Sequence, residues 1–136
     1  MKIFNYSVEN QQAVSECRFT QEFFYGSSSD CPRKMEASLN VSKMENDSAS
    51  PMALKFVLQR SIDGVTWYDE VTLNDGEYFQ DVTCDGENDI LNKSQIIKLF
   101  DNTHFLGARC RLKWFMDESV SSNSFNYDFS VAILVK

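Results

Sequence analysis

Apolar and polar positions alternate with a period of two through most of the chain, the spacing at which successive side chains of a strand point to opposite faces of a sheet. From Cys17 through Phe19, Gln21, Phe23 and Tyr25 the odd positions are mostly apolar, with Glu16, Arg18, Thr20 and Glu22 between them. Met35, Ala37, Leu39 and Val41 repeat the pattern, as do Leu54, Phe56, Leu58 and Ile62, with Arg60 out of phase. The clearest strands come last: Leu106, Ala108, Cys110, Leu112, Trp114 and Met116, then Phe125, Tyr127, Phe129, Val131, Ile133 and Val135. The stretch "SQIIKLF" would suit either a short helix capped by Asn92 or Ser94 or a strand; its central β-branched pair favours the strand.

Between two of these strands lies "SIDGVTW", residues Ser61 to Trp67. Asp63 and Gly64 form the strongest short hairpin signal, because a tight type I′ turn needs positive φ at both central positions. Val65, Trp67, Val71 and Leu73 then share a face, with Asp69 out of pattern. Trp67 is expected to anchor this arm in the core, so that its replacement by alanine would cost about 3–5 kcal/mol.

Eight or nine strands with little helix predict an all-β fold, a two-sheet antiparallel β-sandwich of jelly-roll type, with an immunoglobulin-like arrangement as the alternative. The strand order is not readable from alternation. At 136 residues the chain is expected to form one domain, 1–136, able to fold without staples. "GSSSDCPRK", "MENDSASP" and "DESVSSNS" read as loops between strands.

The net charge of −7 opposes binding to phosphate backbones, so no nucleic-acid partner is expected. No apolar run reaches the length of a signal peptide or a membrane span, and the chain is expected to be made in cytoplasm with no membrane partner. Cys17, Cys31, Cys84 and Cys110 are widely spaced, without a C-x-x-C pair; neither structural zinc nor any other cofactor is expected, and reduced cysteines are the simplest reading. Asp85, Glu87 and Asp89 alternate at an acidic turn but lack the EF-hand pattern, which reads as a solvated loop. His104 is the only imidazole, and no nucleophile sits in an elbow or partner motif, so no enzyme is expected.

Arg109, Arg111 and Lys113 occupy one face of their strand. Either cross-strand acids such as Asp128 neutralise them within the sheet, or they form an outward patch for an acidic partner. Ala132 and Leu134 give the last strand apolar residues on both faces, implying cover by another layer or another subunit. Tyr68, opposite in phase to Trp67, joins Tyr25, Tyr78 and Phe79 as a candidate aromatic ligand platform.

The Ser61, Asp63, Gly64 and Trp67 pattern lacks one residue of the Asp-box spacing and occurs once, which argues against a propeller. It more closely resembles the S-x-D-G-x-x-W hairpin of discoidin-like and other jelly-roll sandwiches. The longer register "LKFVLQRSIDGVTWYDEVTL", then "LGARCRLKWFM" and "NYDFSVAILVK", resembles small virion proteins of tailed bacteriophages, with Arg109 and Arg111 at the basic positions of the later strand; residues 1–50 carry no such likeness. The resemblance implies a virion component that binds other virion proteins, such as a major capsid protein, in a homo- or hetero-oligomeric assembly: a capsid auxiliary protein, or a head-tail or tail module. The discoidin-like hairpin leaves a carbohydrate-binding recognition module as the competing function.

Overall fold

The computed structural model describes residues 2–24, 35–45, 52–73, 93–100, 109–121 and 124–135. Every regular element among them is a strand: β1 (Lys2–Gln12), β2 (Arg18–Phe19), β3 (Phe23–Phe24), β4 (Met35–Glu45), β5 (Leu54–Ser61), β6 (Tyr68–Thr72), β7 (Lys93–Phe100), β8 (Arg109–Met116) and β9 (Asn126–Val135). None of them is a helix that could cross a membrane. The strand reading of "SQIIKLF" therefore holds as β7, and so does the all-β sandwich.

One sheet has the order β1-β9-β4-β7; the other runs β2-β8-β5-β6, with β3 pairing β8 beside β2. All pairings are antiparallel. If β2 and β3 count as two halves of one edge strand, eight strands are wound so that β5 to β6 is the one step between successive strands that stays within a sheet. Every other step crosses the sandwich, which is the winding of a jelly roll.

The two inner faces meet over a single cluster that includes Leu39, Val41, Leu54, Phe56, Leu58, Leu112, Trp114, Tyr127, Phe129 and Ile133, all buried. Phe129 lies at its centre, with ring centroids 4.9 Å from Phe56 and 5.1 Å from Trp114, both edge-on, the geometry that ring quadrupoles favour. The indole N–H of Trp114 donates to the Tyr127 hydroxyl at 2.7 Å, and that hydroxyl donates to Gln11 Oε1 at 2.8 Å. Burial pushes the Tyr127 phenol above its ordinary pKa. Two polar groups thus enter the core without being left unpaired.

The structure departs from the expected strands at three places, two of them with a local break in alternation. β1 was not anticipated, although Phe4, Tyr6 and Val8 alternate with Asn5, Ser7 and Glu9 and pack against the core. In β4 a register shift between Val41 and Lys43 lets both Val41 and Met44 face inward, because a bulge inserts one extra residue and resets the phase. The strand expected from Cys17 to Tyr25 is two pieces offset by one residue: Phe19 pairs with Lys113, whereas Phe23 pairs with Cys110. A one-residue slip exchanges faces, so Phe23 packs toward the core while Phe19 is 42% exposed on the outside.

In the gap between those pieces Thr20 takes over the ladder. Its backbone N–H donates to the Leu112 carbonyl at 2.9 Å, and its hydroxyl accepts the Leu112 N–H at 3.0 Å while donating to the Gln21 carbonyl at 2.9 Å.

Candidate interaction surface

Ser61 to Trp67 do not form a two-residue type I′ turn. β5 and β6 pair last at Arg60 and Tyr68, which leaves a longer loop, and of Asp63 and Gly64 only Gly64 has positive φ, at 79°. Side chains shape it instead. Asp63 Oδ1 accepts the backbone N–H groups of Val65 and Thr66 at 2.8 Å each and the Ser61 hydroxyl at 3.0 Å, while the Gly64 N–H donates to Ser61 Oγ at 2.8 Å. The positive φ at position 64 favours glycine, and a side chain there would in addition displace the Arg109 guanidinium.

The hydrogen bonds from Thr66 and Val65 hold the Asp63 carboxyl at a pKa of about 2, below its ordinary 3.8. Because the folded value is the lower one, the loop's stabilisation by this carboxylate is complete above about pH 4 and is lost as pH falls from 3.8 toward 2. A carbon-detected NMR titration should place the Asp63 midpoint near 2; an ordinary carboxylate midpoint would show that the loop is not built on this group.

Trp67 is not a core anchor. It is half-buried on the outer face of the five-stranded sheet, with the Arg111 guanidinium carbon 4.1 Å from its ring centroid and 3.9 Å from that of Phe19. The arginine is held between two aromatic side chains, a partly buried cation–π arrangement. Without a place in the core cluster, Trp67 loses the basis for a cost of about 3–5 kcal/mol on truncation.

Arg109, Arg111 and Lys113 do face outward, as their alternation with buried Cys110, Leu112 and Trp114 requires. They are engaged within their own sheet. Arg111 Nε donates to Gln59 Oε1 at 2.9 Å, Gln59 Nε2 donates to Asp69 Oδ1 at 2.9 Å, and Lys113 Nζ reaches the same carboxylate at 3.1 Å. Arg109 lies 3.5 Å from Glu22. The Gln59 hydrogen bond, followed by Lys113, keeps the Asp69 carboxyl below its ordinary pKa. Asp128 takes no part: it sits on β9 in the other sheet and accepts the Asn10 N–H. A free basic docking stripe is therefore not what this face presents.

Lysine at position 111 would keep the charge but not the planar group that stacks on two rings. Arg111→Lys is expected to destabilise the fold by about 1 kcal/mol, read as an earlier urea midpoint; an unchanged midpoint would show that the stack contributes nothing.

What this end of the molecule does present is apolar. Ile62 and Val65, expected on the core face, are 80% and 82% exposed on the loop, and Tyr68 beside them is 59% exposed. Tyr25, Tyr78 and Phe79 lie outside the described residues, so of the proposed platform Tyr68 alone is placed. Asp85, Glu87, Asp89, His104, Cys31 and Cys84 lie outside them too, whereas Cys17 is exposed and Cys110 buried, neither in a disulfide.

On the outer face of the other sheet, Ala132 and Leu134 are half-buried. With Ile3, Glu36, Ala37 and Ser38 they line a shallow, mostly apolar depression of about 250 Å³. Beside it, Asn5, Ser7, Ser38 and Ser130 help to line a second hollow of about 370 Å³. Sequence reasoning found Ala132 and Leu134 but missed Ile3, which is 60% exposed and whose place follows from its pairing with Leu134.

No family model matches the chain, and no curated protein matches it in sequence. Its fold resembles that of several solved structures. The infectious bursal disease virus VP2 subviral particle superposes with a TM-score of 0.50 at 10% identity, over 97% of this chain and 32% of that one. STIV MCP, also a viral capsid protein, gives 0.46 at 14% identity, over 98% and 48%. Fructofuranosidase from Schwanniomyces occidentalis gives 0.47 at 11% identity, over 97% and 33%. The chain spans between a third and a half of these proteins. At such identities the likeness is one of fold, and jelly rolls host both shells and enzymes; none of these likenesses is specific to tailed bacteriophages.

Proposed function

We propose that the chain is a non-enzymatic structural component of a virion, and in particular a capsid auxiliary protein of a tailed bacteriophage that decorates or stabilises the shell. The observation that supports this most is the jelly-roll winding of the described strands, together with the likeness of fold to the VP2 subviral particle. The surface agrees. Ile62 and Val65 protrude at one sheet and Ile3 is exposed beside Ala132 and Leu134 at the other, and apolar side chains grouped in this way mark contacts with other proteins. The major capsid protein is the proposed partner for the Ile62 and Val65 loop.

Density-gradient fractionation of particles from the source, with mass spectrometry of this chain, tests the proposal. Co-sedimentation at a fixed ratio to the major shell protein is expected, and a ratio far below that of a shell component would move the assignment to a head-tail connector or the tail. Recovery only at the top of the gradient would overturn the virion role.

A further inference from the structure

We propose that the free edge of β1 is a self-pairing interface, at which a second copy of this chain adds its own β1 antiparallel about a two-fold axis and so extends the four-stranded sheet into a continuous eight-stranded one. An edge strand offers a row of unpaired N–H and C=O groups, and proteins usually blunt such edges with short strands, breaks, charges or bulges. The other described edges are blunted. β6 has five residues, β2 and β3 are two-residue pieces out of register, and β7 carries Lys93 and Lys98 in its sequence.

β1 is different. It borders β9 on one side and no described strand on the other. Its pairing runs without a register shift from Lys2 to Val8, and the six residues from Ile3 to Val8 include no charge. Regularity ends just beyond, where the register shifts between Val8 and Gln11 and Asn10 adopts φ 48°. Among the described strands, β1 thus presents a long, regular, uncharged edge.

The occupant is a second copy because this segment is its own complement. If Asn5 lies opposite Asn5 of the second copy, antiparallel geometry sets Ile3 opposite Ser7 on the outer face and Phe4 opposite Tyr6 on the inner one. No like charges meet, outer residues face outer residues, and apolar rings adjoin apolar rings, as cross-strand pairing favours. Such a contact is isologous and closes at two copies. It also covers Ile3, the most exposed of the described apolar side chains on that sheet, which rims the depression at Ala132 and Leu134.

This interface does not depend on a virion role, and its test uses the purified chain alone. Sedimentation equilibrium should give twice the 15.7 kDa chain mass. Asn5 and Ser7 are exposed, so Asn5→Lys with Ser7→Lys should leave the urea midpoint unchanged at concentrations where both proteins are monomeric, yet weaken the dimer at least tenfold by placing the two lysines at position 5 opposite one another. As a second arm, Asn5→Cys in a Cys17→Ser, Cys31→Ser, Cys84→Ser background should oxidise to a cross-linked dimer, because residues directly opposite in such a pair come within disulfide reach; Ser7→Cys in the same background should not. A monomer at all concentrations, a dimer indifferent to the lysines, or cross-linking at position 7 rather than 5 would each overturn the proposal.

Discussion

Replacing Trp114 by alanine is expected to cost about 3–5 kcal/mol, the range for truncating a fully buried aromatic residue, and to be the most damaging of the changes considered. The side chain is 1% exposed and reaches from β8 across to the other sheet: it is edge-on to Phe129 from β9 and 5.6 Å in ring centroids from Tyr6 of β1. Truncation opens a cavity between the sheets and also removes the donor to the Tyr127 hydroxyl. Tyr127 can still donate to Gln11, so the loss should be dominated by packing rather than by a stranded polar group. Urea unfolding followed by circular dichroism measures it, and a loss below about 1 kcal/mol would mean that the sheets close over the gap.

Thr20→Val should cost about 1–3 kcal/mol, although it removes no volume and Thr20 belongs to neither strand piece beside it. Valine has the same shape but cannot accept the Leu112 N–H, which would then be left without its partner in a buried setting. The prediction is sharpened by a control: Thr20→Ser keeps the hydroxyl and should recover most of the loss. If valine cost nothing while serine were damaging, the methyl group rather than the hydrogen bond would be what holds this edge.

How much of this was legible depended on whether one residue or several set the outcome. β8 and β9 were plain because their alternation is long and each has a face of large apolar residues. The outward direction of Arg109, Arg111 and Lys113 followed from the same alternation. Their partners did not, because Asp69, Gln59 and Glu22 are neighbours only through the strand order, which alternation does not encode; Asp128 was as good a candidate until the sheets were known. Trp67 was misplaced for a related reason. Its size and apolarity argue for burial, but they do not say whether a core or a guanidinium provides the cover, and the loop built by Ser61 and Asp63 carries it past the inner face. Phe19 changed faces through a one-residue slip in an edge strand, which leaves no mark on the hydrophobic pattern. The signal for β1 was present in Phe4, Tyr6 and Val8.

The jelly-roll winding has a kinetic consequence. Among the described strands β1 pairs only with β9, so the first of these strands to be synthesised waits for the last of them. At roughly 5–20 residues per second that delay is on the order of ten seconds, far longer than a hairpin needs to form. Throughout it, "IFNYSV" is an uncharged, β-prone segment whose described partner strand has not yet been made, which exposes the nascent chain to aggregation, and expression at lower temperature or with a holdase chaperone should raise its soluble yield.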